Sequence, residues 1–186
     1  MHNVAVGLVL ALAVSSASLA DEPPKTATRL EAFSARVGTV TVRGSTDVGS
    51  INAGSMGHVT VAALEIRDAA NPKAREYGVT FHVESRDRDH TSFVDADEID
   101  SLLRGVDYLS RANKSVTALA DFEVRYSTRG DLRLTVFSDA QGKVSAVIDS
   151  GTIGRASAFV SVAQLGELMG LLTKAQGVIA SAKAAK

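Results

Sequence analysis

Two histidines and a glutamate in one short stretch are the residues whose chemistry is easiest to name. His82 and Glu84 are two residues apart, and His90 follows six residues later. Imidazole and carboxylate groups act as general acids and bases, or bind zinc, when a fold brings them together. The chain has no HxH or HExxH pattern that would form such a site locally. Two interpretations stay open: surface histidines, or a hydrolase or metal-binding site that pairs His82 and His90 with Glu84.

Other motifs for catalysis are missing from the sequence. The chain contains no Cys, which excludes thiol nucleophiles, disulfides and Cys-based zinc sites. Residues 53–57 read AGSMG, which is close to the G-x-S-x-G of serine hydrolases but lacks the apolar strand before it. We therefore expect a non-enzymatic protein with no catalytic residues, no bound metal and no cofactor.

A segment rich in Gly and Ser extends from Gly44 to Gly57 and reads GSTDVGSINAGSMG. It lacks the Gly-Lys-Ser/Thr ending of a phosphate-binding P-loop, and no helical pattern follows it. We interpret residues 44–57 as a flexible loop. Because long loops often carry function, this loop is a further candidate for contact with a ligand.

Four acidic residues, Asp95, Asp97, Glu98 and Asp100, suggest calcium at first sight. An EF-hand loop that starts at Asp95 would need Gly at its sixth position and a carboxylate at its twelfth. The chain has Asp100 and Val106 at those positions. We interpret Asp95 as the N-cap of a following helix and the other three as charges that favour its positive end.

Composition narrows the class of protein further. Hydrophobic residues make up 45% of the 186 residues and the formal net charge is −1, which is typical of a folded domain. Proteins that bind nucleic acid usually carry a basic surplus, and this chain has none. Arg125 and Arg133, at outward positions of predicted strands, are the residues that would favour such a ligand. A protein or small-molecule partner is therefore expected before a nucleic acid.

The first residues predict export. Residues 4–14 read VAVGLVLALAV, an uncharged run too short to span a bilayer, and Ser18 and Ala20 fit the small-x-small pattern of a cleavage site. No Lys or Arg precedes the run, so an uncleaved anchor and an N-terminal core helix are the alternatives. We predict a signal peptide over residues 1–20 and a secreted or periplasmic protein with no membrane span after cleavage.

Two segments with helical periodicity match one another at an offset of 66 residues. In each, apolar residues recur at i, i+3, i+4, i+7 and i+10, which places them on one face of a helix. They are Ile99, Leu102, Leu103, Val106 and Leu109 in the first segment, and Leu165, Leu168, Met169, Leu172 and Ala175 in the second. A short apolar stretch and a capping residue, Asp95 or Ser161, precede each. The pattern predicts an internal duplication.

Four strand patterns precede each of these helices. They lie near residues 40–42, 59–66, 77–83 and 91–94 in the first half, and near 122–126, 132–136 and 144–148 in the second, where a short fourth strand ends at Val160. The apolar phase changes between Ala63 and Leu64, which predicts a β-bulge there. We predict an α+β fold of two antiparallel ββββα units with a shared core, each helix packed on its own sheet.

The predicted organisation divides the chain into five parts. They are a signal peptide (1–20), an N-terminal segment with a short helix formed by Leu30, Phe33 and Val37 (21–36), a first ββββα unit (37–112), a junction (113–121) and a second ββββα unit (122–186). Each unit is small for independent folding, so the shared core is expected to hold them together.

The order of elements over residues 37–176 resembles the tandem ββββα architecture of the Whirly proteins and, more loosely, of the PUR-repeat proteins. This resemblance implies binding of single-stranded nucleic acid. The Lys-Gly-Lys-Ala-Ala-Leu signature of Whirly proteins is not reproduced, since the nearest stretch, residues 141–146, reads QGKVSA. The stretches 93–109, 122–131 and 142–159 also resemble an uncharacterised family of secreted bacterial proteins, which implies no activity.

Taken together, these patterns predict a secreted or periplasmic binding or interaction module. Its candidate binding surface comprises His82, Glu84, His90, Arg125 and Arg133. A Whirly-like binder of single-stranded nucleic acid is one alternative. A hydrolase or metal-binding protein that uses His82 and His90 is the other.

Overall fold

The computed structural model describes residues 27–139 and 141–185, so the predicted signal peptide lies outside the described residues. The helices are α1 (Arg29–Ser34), α2 (Ile99–Arg111) and α3 (Val162–Ala184). The strands are β1 (Thr41–Asn52), β2 (His58–Asp68), β3 (Arg75–Ser85), β4 (Arg88–Asp95), β5 (Glu123–Ser127), β6 (Leu132–Ser138), β7 (Val144–Ser150) and β8 (Ala156–Val160). Within this part of the chain, no helix is both long and apolar enough to cross a bilayer.

The strands form two four-stranded antiparallel sheets, which confirms the α+β class. The strand order is β1-β2-β3-β4 in the first sheet and β5-β6-β7-β8 in the second, so each sheet is a simple meander. Helix α2 follows the first sheet and α3 follows the second. A single turn of 3-10 helix, Lys114–Val116, lies in the segment between the two units.

The two long helices are exchanged between the sheets. Helix α2 packs against β5 and β6, whereas α3 packs against β1 and β2. The hydroxyl of Tyr126 on β5 donates to Ser101 Oγ on α2 at 3.1 Å. The ammonium of Lys174 on α3 donates to the carbonyl oxygen of Val48 on β1 at 2.8 Å. The prediction that each helix covers its own sheet is therefore wrong, because an apolar stripe determines which face is buried but not which sheet buries it.

A single apolar core joins both units, which confirms the predicted shared core. It includes Phe81 from the first sheet, Ile148 from the second, and Leu102 and Leu168 from the two helices, all fully buried. These side chains lie on what we call the inner face of each sheet. Because α2 and α3 also pack against each other, the core is continuous from one sheet to the other.

The outer face of the first sheet carries a second apolar cluster under α1. Leu30 and Phe33 of α1 pack there on Leu64 and Ile66 of β2. Strand β2 thus turns Val59, Val61 and Ala63 inward and Leu64 and Ile66 outward, with both sets buried. Val37, predicted to belong to the same helix, lies beyond it and is almost fully exposed.

This double burial explains the change of phase in β2, and the β-bulge predicted there is wrong. The pairing of β2 with β3 is continuous from His58 to Arg67. The register shift lies in β1 instead, between Asp47 and Gly49. A change of apolar phase in one strand can therefore mean that a second element covers its other face.

Asp95 caps a different helix from the one predicted. Its carboxylate is fully buried and accepts from the backbone N–H groups of Arg29 at 2.8 Å and Leu30 at 3.1 Å, at the start of α1. Helix α2 begins after Glu98 with no side-chain cap. Ser161, in contrast, caps α3 as predicted, and Gln164 completes its capping box. Since Asp95 lies three residues before Glu98, it is free to serve α1, which only the tertiary fold brings near.

Most of the Gly-rich segment is a strand, so its interpretation as a flexible loop is wrong. Residues 44–52 belong to the edge strand β1, and only residues 53–57 form the turn to β2. Val48 and Ile51 of β1 are buried although they are three residues apart, because the register shift at Asp47 and Gly49 restores their common face. In residues 44–52, which are rich in Gly and Ser, Val48 and Ile51 were the only apolar residues that could have indicated a strand.

Candidate functional site

A polar cleft of about 560 Å³ lies at one end of the first sheet. One wall is the turn between β1 and β2, which contributes Gly54, Ser55 and Gly57. The other wall is the tight hairpin between β3 and β4, which contributes residues 85–89. His58, His82 and Glu84 complete the lining. The cleft therefore unites the turn of the Gly-rich segment with two of the predicted site residues.

Both ring nitrogens of His82 have partners. Its Nε2 lies 3.1 Å from Glu84 Oε1, and its Nδ1 lies 3.0 Å from Thr91 Oγ1 on the neighbouring strand. His82 and Glu84 share a face because they are two residues apart in a strand, and Thr91 is the cross-strand neighbour of His82. These contacts orient the imidazole and use both of its hydrogen-bonding positions.

His58 and Asp89 also belong to the cleft, and the sequence analysis missed both. Their backbones pair with Glu84 from opposite sides, His58 from β2 and Asp89 from β4. The three residues thus form one row across the sheet. The available signal was the register of the two hairpins, because antiparallel pairing sets which residues lie opposite one another.

His90 does not join the cleft, and its predicted pairing with His82 and Glu84 is wrong. It pairs with the inward-facing Val83, and its Nδ1 lies 3.0 Å from Ser150 Oγ on the second sheet. Successive residues of a strand point to opposite faces. Thr91 shares the outer face with His82, so its neighbour His90 points to the inner face. Ser92 also contacts Ser150, at 2.7 Å, and the three polar groups bridge the sheets inside the molecule.

Arg125 and Arg133 lie on the outer face of the second sheet, away from the residues that line the cleft. The guanidinium of Arg125 forms an ion pair with Glu123 on the same strand. Arg133 pairs across the sheet with Asp149, a buried carboxylate that accepts from Ser157 Oγ at 2.6 Å. That carboxylate lies 3.7 Å from the guanidinium of Arg155, and Arg133 Nε is buried without a hydrogen-bond partner in the described part of the chain. Arg125 is thus paired with an acidic side chain, whereas Arg133 is partly buried.

The acidic cluster after β4 holds three segments of the chain together. Arg129, in the turn between β5 and β6, lies 2.7 Å from Asp97, 3.1 Å from Glu98 and 3.4 Å from Asp95. Arg29 of α1 contacts Asp97 from the other side at 3.0 Å. Burial opposes the charged form of Arg129, but the hydrogen bonds and charges of Glu98 and Asp97 outweigh burial and raise its pKa. The guanidinium thus stays charged and joins the two units.

Within the described residues, no group of three or more His, Asp or Glu side chains is arranged to hold a metal ion. His58, Glu84 and Asp89 lie side by side on three neighbouring strands, and their side chains do not surround a position where a metal ion could bind. The cleft presents donors, acceptors and charges of both signs to solvent, which suits recognition of a polar partner. No family model matches the sequence, and no curated protein or solved structure is significantly similar to it.

Proposed function

We propose that the protein is a secreted or periplasmic binding module that recognises a polar segment of another protein in the cleft beside His82. The observation that carries this proposal is the convergence of the β1–β2 turn and the β3–β4 hairpin around His58, His82 and Glu84. Strand pairing positions the floor of the cleft, and the two turns that form its walls vary most easily without cost to the fold.

The charges of the cleft favour a polypeptide partner. Arg86 and Arg88 alternate with Asp87 and Asp89 along the hairpin, and Glu84 lies beside them. A surface with both signs of charge suits a ligand that carries both, as a polar peptide does. A single phosphate or a nucleic acid would meet repulsion from three carboxylates.

Binding accounts for this geometry better than the hydrolase alternative. A general base must lie within hydrogen-bond reach of a nucleophile that is itself open to the substrate. The hydroxyl that contacts His82 belongs to Thr91, which does not line the cleft, and the Ser85 hydroxyl of the cleft donates to the carbonyl oxygen of Arg88. The ion pair of Arg125 with Glu123 and the partial burial of Arg133 weigh against the Whirly-like alternative.

Site-specific photo-crosslinking in the extracytoplasmic fraction tests the proposal. A photoreactive amino acid at Ser55, an exposed residue of the cleft, should give a discrete crosslinked protein. The same amino acid at Ser181, an exposed residue of α3 outside the cleft, is the matched control and should give none. Charge reversal by Arg86→Glu with Arg88→Glu should abolish the crosslink at Ser55. Equal products from both positions, or none from Ser55, would contradict the proposal.

Export is part of the same proposal and has its own test. The uncharged run at residues 4–14 and the small residues Ser18 and Ala20 support cleavage after Ala20. Mass spectrometry of the protein purified from its native compartment should then find an N-terminus at Asp21. An N-terminus at Met1 would contradict cleavage.

We also infer that the two units are repeats of one ββββα element. Two contacts related by the order of elements support the inference. On one side, Gly105 of α2 lies against the ring of Tyr126 on β5. On the other side, Leu171 of α3, which follows Gly105 by 66 residues, lies against Gly49 on β1. In the first contact the helix provides the glycine and the strand the large side chain. In the second contact the strand provides the glycine and the helix the large side chain, so the sizes of the two residues are reversed at corresponding positions.

The outer faces support the same relation. His82 and Thr91 contact each other across β3 and β4, and Asp149 and Ser157 contact each other across β7 and β8. Ser157 follows Thr91 by 66 residues, as Phe159 follows Phe93. Corresponding strands thus present corresponding polar pairs, although the residue types have diverged.

A further inference from the structure

Helix α1 covers one part of the first sheet, and the inferred repeat identifies the matching part of the second. On the first sheet, α1 lies over Leu64 of β2, Gly78 of β3 and Phe93 of β4. Leu64 pairs with Gly78, and Phe93 pairs with Thr80 two residues further along β3. These residues define the surface that a short apolar helix needs in this fold.

The corresponding residues of the second sheet are Phe137, Ser145 and Phe159. Phe137 pairs with Ser145, and Phe159 pairs with Val147 two residues further along β7, so the register is the same. All three line a groove of about 400 Å³ that is bounded by the β1–β2 turn and by the start of α3. No helix of the described residues lies in this groove.

The groove exposes large apolar side chains. Phe159 is 44% exposed and Met56 of the β1–β2 turn is 54% exposed, whereas Leu64 under α1 is 2% exposed. Val144 and Val162 extend the apolar lining. A ligand that covers both side chains removes their apolar surface from water, which favours binding. Two units that match in strand order and register therefore differ in whether this surface is covered.

We propose that this groove binds a short amphipathic helix of a partner protein, with two apolar residues three positions apart and an acidic flank. The apolar spacing follows from Leu30 and Phe33, which α1 places on the corresponding surface. The acidic flank follows from charge: Lys143 is the only charged residue that lines the groove, it is exposed, and it forms no ion pair with the described residues. This inference rests on the inferred repeat and concerns a surface that adjoins the polar cleft only at the β1–β2 turn.

The charges beside the two surfaces differ, and for this reason we expect an acidic partner in the groove although α1 itself is not acidic. The buried carboxylate of Asp95 receives the first N–H groups of α1 and lies near Arg29. Its counterpart, Ser161, is neutral and already caps α3. Lys143 lies two residues before Ser145, as Glu76 lies two residues before Gly78, and Glu76 contacts Arg29 of α1 at 3.3 Å. The second surface thus has a lysine where the first has the carboxylate of Glu76, and it favours the opposite charge on its ligand.

Titration of the isotope-labelled protein with three synthetic peptides, followed by NMR, tests the proposal. The first peptide has the sequence of residues 27–38 with Arg29 and Arg36 replaced by Glu, which keeps Leu and Phe and makes the peptide acidic. The second has the unaltered sequence, and the third is the acidic peptide with Leu and Phe replaced by Ser. The acidic apolar peptide should shift the signals of Phe137, Ser145 and Phe159, with a dissociation constant at least 10-fold lower than that of either control peptide.

Two variants complete the experiment. Phe159→Asp, at an exposed position, should weaken binding of the acidic apolar peptide at least 10-fold, and Lys143→Glu should reverse the preference between the acidic and the unaltered peptide. Shifts around Leu64 would show displacement of α1, and shifts around His82 would show binding in the cleft; either in place of the groove overturns this inference. Shifts absent at millimolar peptide, or equal for all three peptides, overturn it as well. Because Ser55 of the cleft is next to Met56 of the groove, Arg86→Glu with Arg88→Glu separates the two sites: it should abolish a crosslink that arises in the cleft and leave one that arises in the groove.

Discussion

The first and second units share a strand order, a register and a helix that crosses to the other sheet, yet they differ on their outer faces. The first unit carries α1, the polar cleft and a buried carboxylate at Asp95. The second unit carries an apolar groove and a neutral cap at Ser161. Both inner faces enter one core, whereas the two outer faces are covered differently.

This difference shows where the structure tolerates change. On the inner face, a side chain of one unit packs directly on the helix of the other, so a change in its size requires a change in the residue that it contacts. Tyr126 against Gly105 and Gly49 against Leu171 are two such contacts. On the outer face, His82 contacts Thr91 and Asp149 contacts Ser157, and neither pair involves a helix of the other unit. We therefore look for function on the outer faces and for stability at the crossed helices.

The largest expected effect is loss of a core leucine from either helix. Leu102 and Leu168 are both fully buried, so Leu102→Ala and Leu168→Ala should each lower the free energy of unfolding by about 2–5 kcal/mol. Urea unfolding followed by circular dichroism measures the loss. Arg104→Ala and Glu167→Ala, at exposed positions of the same helices, should change stability by less than about 0.5 kcal/mol.

Hydrogen exchange in the same variants sharpens the comparison. Because each helix packs on the sheet of the other unit, either substitution should reduce protection in β1–β4 and β5–β8 together. Loss of protection confined to β1–β4 in Leu102→Ala would mean that the units unfold separately, each with its own helix.

An intermediate effect is expected at the two matching caps. Asp95→Ala removes a buried carboxylate from two N–H donors and two arginines, and should lower stability by about 1.5–3 kcal/mol. Ser161→Ala removes one cap and should cost about 1 kcal/mol. Thermal and urea unfolding of both variants give the difference. Equal losses would indicate that Asp95 does no more than an ordinary helix cap.

The smallest effect is expected at glycines of the two helices. A methyl group at Gly105 would meet the Tyr126 ring, so Gly105→Ala should lower stability by about 1 kcal/mol despite the better helix propensity of alanine. Gly170 of α3 has open space beside it, and Gly170→Ala should raise stability by about 0.5–1 kcal/mol. Stabilisation by both variants in urea unfolding would show that the ring of Tyr126 moves aside freely.

Much of the fold could be read from local patterns. Helix α3 has the predicted apolar stripe and the predicted Ser161 cap, and α2 has its stripe at Leu102 and Leu109. The strands of the second unit follow alternating residues within a few positions of their predicted ends. Strand β1 was recognised only in part, because Gly and Ser outnumber its two buried apolar residues, Val48 and Ile51.

The candidate site could be predicted only in half. His82 and Glu84 lie together because two residues in one strand share a face, a relation that the sequence contains. His58 and Asp89 lie beside Glu84 because of the registers of the β2–β3 and β3–β4 hairpins. His90 does not belong to the site because it points to the opposite face. Register depends on how turns and buried faces fit together, which no single stretch of sequence specifies.

The sequence by itself determined which residues are apolar at which period, and hence the α+β class, the two sheets and the buried faces of α2 and α3. Only the tertiary structure decided which surface covers each face: α2 on the second sheet, α3 on the first, α1 over Leu64, and Asp95 at the start of α1. The physical reason is that hydrophobic burial is non-directional. An apolar stripe requires a cover, and chain geometry and packing of the whole molecule select which one it receives.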